Sequence, residues 1–369
     1  MSQSRAPRSS TRPPRPRAWH RTLGALGGVL VLAVTASACS SGSGSPEKST
    51  LNVGVVDGLG AATLELGVSQ HYFSDAGLTV NIVPEATDAA AESALKSGAV
   101  DLALGDYSEF LNSGVLTSDG TTTNPSPVAS TVQVVGEGYN AGENTVGLVV
   151  RSGSSLANQA LTGSGGVVAE ISGTTQNSVT VEVPDLASPE YVALANWAIA
   201  EQSPLDAGSQ HVRSASNNSD GATTAQTMVK AVLSGSAGAA VLAEPYLTQA
   251  LESGAVTELA NLDTGNSDNM PVSGYFALQT TAKNDPNTIA AFQSALAKSQ
   301  ALGVSRVEVE AALTAAGSKV SKELAATTAL GNYPIGVVAA NITNVLTLMA
   351  NAGLQISTLT SDTLTGISS

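Results

Sequence analysis

Acidic and hydroxyl side chains recur in this sequence at points where a predicted strand ends and a helix begins. Asp57 follows the apolar run Leu51–Val56, and Asp106 follows the apolar run that ends at Gly105. Ligands of open α/β sheets bind outside the carboxyl ends of the strands, so these loops form a candidate binding site. The residues that we place in that site are Asp57, Gly58, Gly60, Thr87, Asp88, Asp106, Tyr107, Asp185, Ser188, Glu244 and Tyr246.

The candidate loops carry carboxylates but no lysine or arginine. Their acids are Asp57, Glu85, Asp88, Asp106, Asp185 and Glu244. If several of these acids face one cleft, the site suits an amine-bearing ligand or a neutral, hydrogen-bonding one. Tyr107 and Tyr246 could then stack on a ring or on a cationic nitrogen. The alternative is that Asp88 and Asp106 only cap helices and that Glu244 holds a structural hydrogen bond.

An anionic ligand would meet unfavourable charge in such a cleft, although helix N-termini can bind anions through backbone N–H groups. Catalytic signatures are absent: the sequence has no G-x-S-x-G elbow, no H-E-x-x-H pair and no Walker A loop. One cysteine and three histidines argue against a metal cluster built on those residues. We therefore expect a binding protein with no cofactor and no bound metal, and not an enzyme.

Strands alternate with helices along the chain, and this alternation predicts a mostly parallel sheet flanked by helices. The first predicted strands are Leu51–Val56, Leu78–Val83 and Val100–Gly105. A second alternation runs from Thr145 to Leu251, and helical segments follow at about 286–303, 306–315 and 335–352. The pattern fits two α/β lobes joined by crossovers near Gly136–Asn144 and Leu262–Met270. Two consecutive domains are the alternative.

The charge of the chain is divided between a basic head and an acidic body. Six arginines precede residue 22 and no acid precedes Glu47, so the rest of the chain carries 10 basic and 30 acidic residues. A body with this excess of acids argues against binding to nucleic acid, which requires cations to neutralise phosphates. The apolar run Leu23–Val34 is too short to span a membrane and has the length of a signal-peptide core.

The small residues Thr35–Ala38 lead from that run to Cys39, the only cysteine. This segment resembles a bacterial lipobox with Ala36 in place of the usual leucine, and the resemblance implies that Cys39 is lipidated. An ordinary signal peptide followed by a chance cysteine is the alternative. The Ser/Gly-rich stretch Ser40–Thr50 predicts a flexible tether.

Three segments carry short motifs of known type. Gln70–Phe73 and Ala76–Val80 are similar to "GYF" and "GLxV", with His71 in place of the usual glycine. Ala94–Gly105 matches "ALxxGxVDxAxG", and Met228–Tyr246 is similar to a second-lobe pattern that ends in "EPy". Taken together, they resemble the solute-binding proteins of ABC importers in the nitrate/sulfonate/taurine and thiamine-precursor group, over most of residues 51–280.

The resemblance implies a type II periplasmic-binding-protein fold: α/β, with two lobes, each a mostly parallel sheet flanked by helices, and a C-terminal helical extension. The implied division is a signal peptide at 1–38, a tether at 39–50, lobe 1 at 51–140 and 268–369, and lobe 2 at 141–267. The implied protein is a monomeric lipoprotein that captures a small organic solute by lobe closure.

The resemblance also implies that Cys39 anchors the lipoprotein to the outer face of the cell membrane of a Gram-positive bacterium of actinobacterial type. It delivers its solute to the permease and ATPase subunits of an ABC importer. We prefer an amine-bearing or neutral heterocyclic solute, such as a thiamine precursor. The alternatives are a sulfonate, nitrate or taurine-type anion, or a sensor lipoprotein on the same fold.

Overall fold

The structure is a computed structural model that describes residues 44–116, 122–123, 125–159, 167–173, 178–205, 211–215, 223–315, 320–356 and 359–366. The predicted signal peptide, Cys39 and the first half of the tether lie outside the described residues. Among the helices in the described ranges, none is long and apolar enough to cross a membrane.

The chain from Thr50 to Asn140 builds most of a first sheet and its flanking helices. Its elements are β1 (Thr50–Val56), α1 (Ala62–Ser69), α2 (Tyr72–Asp75), β2 (Thr79–Glu85), α3 (Asp88–Ser97), β3 (Leu102–Asp106), α4 (Tyr107–Phe110), β4 (Val115–Leu116), β5 (Thr122–Thr123) and β6 (Val132–Asn140).

The middle of the chain builds a second sheet. Its elements are β7 (Val146–Arg151), α5 (Val167–Ser172), β8 (Val181–Val183), α6 (Pro189–Ala200), β9 (Val212–Ser214), α7 (Thr224–Ser234), β10 (Ala239–Ala243), α8 (Tyr246–Glu252) and β11 (Val256–Asn261). The chain then returns to the first sheet and ends in helices. These elements are β12 (Pro271–Leu278), α9 (Gln279–Asn284), α10 (Pro286–Gln300), α11 (Arg306–Leu313), α12 (Lys322–Thr327), α13 (Ala339–Asn351) and α14 (Ser361–Thr365).

Each lobe is organised around one five-stranded sheet. The strand order is β2-β1-β3-β12-β6 in the first lobe and β11-β7-β10-β8-β9 in the second. The predicted two-lobe α/β architecture with mostly parallel sheets is confirmed, since four strands of each sheet run in the same direction and one strand runs against them. In the first sheet, β12 runs antiparallel to both β3 and β6. In the second, β7 runs antiparallel to β10 and β11, so the start of β7 and the end of β11, where the chain passes between the sheets, lie side by side.

The chain passes between the two sheets at residues 141–145 and 262–270. Residues 136–140 were predicted to belong to a turn-rich connector, and this prediction is wrong, because they form the last part of β6. A Cβ at Gly138 would lie 2.7 Å from the Ser273 Oγ, so this glycine serves close packing against β12 and not a turn. Glycine-rich composition alone does not distinguish these two uses.

Local signals explain where several helices begin and end. The Thr87 hydroxyl accepts a hydrogen bond from Ala90 N at the start of α3, which ends at Gly98 with a φ of 76°. Ser188 caps α6 and Pro189 occupies its first turn, as the sequence predicts. Helices α1 and α2 are separate, because His71 between them adopts a φ of 63° and returns Phe73 to stack on Phe292 at 5.4 Å.

The described end of the predicted tether is bound to the first lobe. The Glu47 carboxylate accepts hydrogen bonds from the N–H groups of Asn287 and Thr288 at the start of α10, at 3.1 and 2.8 Å. Desolvation raises the pKa of Glu47, but its hydrogen bonds outweigh this effect and lower that pKa to about 2. Lys48 also forms an ion pair with Asp101 at 2.8 Å. Residues 47–50 therefore belong to the folded lobe and not to a flexible linker.

The largest hydrophobic core extends from one lobe into the other. It includes residues of β3 and α4 from the first lobe, β7, β8 and α6 from the second, and the C-terminal helix α13. Phe110 on α4 stacks on Phe276 of β12 with ring centroids 4.4 Å apart. Asn196 on α6 donates to the Leu348 carbonyl on α13 at 3.0 Å. Helix α13 therefore packs against both lobes on this side.

Candidate functional site

The predicted site residues lie at strand ends that meet between the two lobes. Helix α4, which follows β3, contacts helix α6, which follows β8. Tyr246, at the start of α8 in the second lobe, lies near Asp57, which follows β1 in the first. Burial raises the pKa of Tyr246, and the charge of Asp57 raises it further. We call the space between these strand ends the inter-lobe cleft.

Carboxylates from both lobes converge in this cleft. We name Asp88, Asp106, Glu109 and Glu190 the acidic cluster; the first three belong to the first lobe and Glu190 to α6 of the second. Burial, followed by repulsion between acids, raises the pKa of Asp106 well above its usual value and that of Glu109 to about 9. Burial is also the main cause for Asp88 and Glu190, whose pKa values rise to about 6.

The Asp88 side chain fixes the corner at which β3 becomes α4. Its Oδ1 accepts a hydrogen bond from Asp106 N at 2.8 Å, so it binds a neighbouring loop instead of capping its own helix. The N-cap of α3 is Thr87, whose exposed side chain is occupied in that role. Asp106 occupies the N-cap position of α4, but its carboxylate makes no capping hydrogen bond. The Asp106 carboxylate is therefore not held by the N-terminus of its own helix.

Three other predicted site residues are engaged within the protein. The Asp185 Oδ1 accepts from Ala187 N at 2.9 Å, and the Ser188 Oγ accepts from Tyr191 N at 3.2 Å. The Glu244 Oε1 accepts from the Thr248 hydroxyl and from Ala329 N at 2.6 and 3.0 Å, and its Oε2 accepts from Thr248 N at 3.1 Å. These contacts shape the cleft wall, as the structural alternative for Glu244 predicts.

Tyr107 lies in the hydrophobic core. It is fully buried, and its ring packs edge-on against Phe276 at 5.6 Å, so it does not line the cleft for stacking as we predicted from its position in the sequence. The reason is local: α4 begins at Tyr107 and turns this side chain beneath β12, where Gly274 leaves room for the phenol.

The loop after β1 forms another wall of the cleft. Asp57 is exposed, while Gly58 and Gly60 are partly exposed and Gly60 lies against the buried Ser273 of β12. Tyr246 is partly exposed on the opposite lobe. The ligand-binding role of these residues stays a prediction.

Glu109 and Glu190 were missed by reasoning from the sequence. The predicted site residues extend only to the first residue of an α-helix, whereas Glu190 is the second residue of α6 and Glu109 is the third residue of α4. A signal was available, because Glu109 is three residues after Asp106 and Glu190 is two residues after the N-cap Ser188. The first turn of a helix also faces the carboxyl end of the sheet.

The two connections between the lobes are held together by one aspartate. The Asp263 Oδ2 accepts hydrogen bonds from Thr145 N, the Thr145 hydroxyl and Val146 N at 2.6, 2.9 and 2.6 Å. Asp263 is 4% exposed, and burial raises the pKa of its carboxyl to about 6 despite these hydrogen bonds. This carboxylate joins residues 262–270 to residues 141–145 where the chain passes between the lobes.

Replacing Asp263 by alanine is expected to lower the free energy of unfolding by about 2–3 kcal/mol, because buried N–H donors lose their acceptor. Chemical denaturation followed by circular dichroism would measure this change. Asp268→Ala is the matched control, since Asp268 is exposed in the same connection and should change stability by less than about 0.5 kcal/mol. Equal effects of the two substitutions would contradict the role of Asp263.

Solved structures with a similar fold include ligand-binding proteins. No protein-family model matches the chain, and a search of curated proteins gave no match. The ligand-binding component of an ABC-type import system from Staphylococcus aureus, solved with zinc bound, is 14% identical with a TM-score of 0.60, covering 86% of this chain and 96% of that one.

Two further structures are periplasmic binding proteins. The nitrate-binding protein NrtA from Synechocystis PCC 6803 is 16% identical, with a TM-score of 0.58 over 76% of this chain and 70% of that one. The aliphatic sulphonate binding protein SsuA from Escherichia coli is also 16% identical, with a TM-score of 0.57 over 83% and 86%. The chain therefore has the two-lobe fold of periplasmic binding proteins, and these two neighbours are of the group that its motifs resemble.

Proposed function

We propose that this protein is the extracytoplasmic solute-binding component of an ABC importer and that it captures an amine-bearing organic solute between its lobes. The observation that carries the choice of solute is the acidic cluster, which brings carboxylates of both lobes to one place in the cleft. The fold supports the transport role, since its structural neighbours include components of import systems.

Capture would take place by rotation of the lobes about the paired connections at 141–145 and 262–270. A cation between the lobes offsets the repulsion between Asp106 and Glu190, which belong to opposite lobes, so it favours the closed state over the open one. The mechanism requires no covalent step. The closed protein would then present its solute to a permease, and lipidation of Cys39 would keep it at the membrane.

An anion-binding protein is the second candidate, because two structural neighbours bind nitrate and aliphatic sulphonates by their names. The acidic cluster disfavours this candidate, since a sulfonate placed there would be repelled. A sensor lipoprotein would use the same closure without a permease, and a search for a cognate permease would distinguish it.

A thermal-shift screen tests the proposal. Purified protein is expected to gain several degrees in Tm with at least one solute from a panel of amines, pyrimidines, sulfonates and nitrate, because binding to the native state alone stabilises it. The same solute should lower the radius of gyration in small-angle X-ray scattering. A solute that raises Tm without compaction would contradict closure, and an exclusive response to sulfonates would favour the second candidate.

A further inference from the structure

We infer that the solute is an elongated organic cation with at least two ammonium groups, of the linear diamine or polyamine class, and that the acidic cluster binds one end of it. This inference rests on the proposed function, because it assumes that the inter-lobe cleft is the solute site. It goes further in specifying the charge and shape of the solute.

Charge in the cleft is the first argument. The neighbours that shift the pKa values of Asp106, Glu109 and Glu190 through their charge are all acids. Within the described residues, the basic side chains with the clearest partners are engaged elsewhere: Lys48 with Asp101, Arg213 with Glu182, Arg306 with Glu310, and Lys298 over the Tyr72 ring. The causes that shift the pKa values of the four carboxyls of the acidic cluster include, among the described residues, no basic side chain.

A buried polar group beside the cluster is the second argument. Glu92 lies one helical turn after Asp88 on α3 and is 3% exposed; its carboxyl is hydrogen-bonded to the Ser126 side chain, but its Oε2 has no partner. The charge of Glu92 acts on Glu109 and the charge of Asp88 acts on Glu92, so the Glu92 carboxyl lies near the cluster. Burial of an unsatisfied carboxyl oxygen is unfavourable, and a donor in the cluster would relieve it.

The spacing of the acids is the third argument, and it favours an elongated cation over a metal ion. In the register of the first sheet Val56 pairs with Glu85 on β2, and Val55 pairs with Leu104 on β3. Asp57 is two residues after Val55, and Asp106 is two residues after Leu104. Glu85, Asp57 and Asp106 therefore lie at the ends of three adjacent strands, whose backbones are about 5 Å apart. In the described part of the chain, no three such side chains are arranged to hold one metal ion.

An extended cation would therefore place one ammonium group in the acidic cluster and another near Asp57. The Tyr246 ring, on the opposite lobe and within the influence of the Asp57 charge, is positioned to contact the second ammonium group or its methylene chain. A monoamine could satisfy only one end of this row. We therefore expect affinity to increase with the number of amino groups.

Isothermal titration calorimetry of the full-length chain at pH 8 tests the inference with spermidine, 1,4-diaminobutane, butylamine, taurine and zinc chloride. Spermidine and 1,4-diaminobutane are expected to bind at least about 10-fold more tightly than butylamine, since one charged contact contributes that factor. Taurine and zinc chloride should not bind in the cleft. Tighter binding of butylamine, taurine or zinc than of the diamine would overturn the inference.

Substitutions separate a binding role from a structural one. Asp106→Asn and Glu190→Gln, one in each lobe, are expected to weaken spermidine binding about 10-fold while Tm in the absence of ligand stays level or rises, because repulsion is removed. Asp75→Asn and Glu252→Gln are exposed controls that should leave affinity unchanged. A fall in Tm with unchanged affinity would assign the acids a structural role and overturn the inference.

Failure of the inference is distinguishable from failure of the proposed function. If taurine or another singly charged solute raises Tm and compacts the protein, the cleft binds a solute but the polyamine class is wrong. If neither the amines nor the wider panel changes Tm, both the inference and the proposed function fall.

Discussion

Without ligand, the protein is expected to unfold at a lower temperature at pH 8 than at pH 5. The acids of the cleft have folded-state pKa values of about 6 for Asp88 and Glu190, about 7 for Glu92 and about 9 for Glu109, with burial as the main cause. In the unfolded chain these carboxyls titrate near pH 4. Between the two ranges the folded state binds more protons, so stability falls as the pH rises.

The size of this pH effect is on the order of several kcal/mol between pH 5 and pH 8, because more than one group titrates in that window. Asp263, with a pKa of about 6, contributes in the same direction. Glu47 does not contribute, since its folded pKa of about 2 leaves it ionised throughout the window. Differential scanning calorimetry at constant ionic strength would measure the change in Tm.

The double variant Glu109→Gln/Glu190→Gln should flatten this pH dependence and raise Tm at pH 8. Glu252→Gln, an exposed acid on α8, should leave the slope unchanged. Equal Tm values at pH 5 and pH 8 in the unsubstituted protein would show that the acids are not crowded as the structure places them. A bound diamine should also reduce the slope, because it stabilises the ionised carboxylates.

Replacing Phe276 by alanine is expected to lower the free energy of unfolding by about 3–5 kcal/mol and to weaken solute binding as well. Phe276 is fully buried in β12, where Phe110 stacks on it at 4.4 Å and Tyr107 meets it edge-on at 5.6 Å. Both partners belong to α4, the helix that presents Asp106 and Glu109 to the cleft. Loss of the ring therefore removes core packing and the support of the acidic cluster together.

Denaturant titration would measure the change in the free energy of unfolding. Calorimetry with the solute identified in the screen would measure the change in binding affinity. Phe276→Leu should retain most of the stability, because a smaller cavity is left. Val307→Ala is the control for loss of an exposed apolar side chain, since Val307 is 74% exposed and should change stability by less than about 0.5 kcal/mol. A loss below 1 kcal/mol for Phe276→Ala would contradict this description of the core.

Local features of the fold could be predicted from the sequence because they depend on neighbouring residues. The alternation of apolar strands with helices gave the α/β class, and the caps at Ser188 and Gly98 follow from hydrogen bonds and backbone conformations within a few residues. The position of the first carboxylates at strand ends follows from the same alternation. Residues 136–140 escaped prediction, because their glycines pack against a strand that is distant in the sequence.

The tertiary structure alone decided which carboxylates remain available to a ligand. Glu244 resembled a ligand contact in the sequence, yet its oxygens accept hydrogen bonds from Thr248 and Ala329. Glu109 and Glu190 were not predicted as site residues, yet the contact between α4 and α6 brings them together from opposite lobes. The sequence by itself determined that acids follow the strands. The packing of the two lobes determined which groups these acids interact with. Repulsion and hydrogen bonding act between neighbouring groups, and these groups become neighbours only in the folded chain.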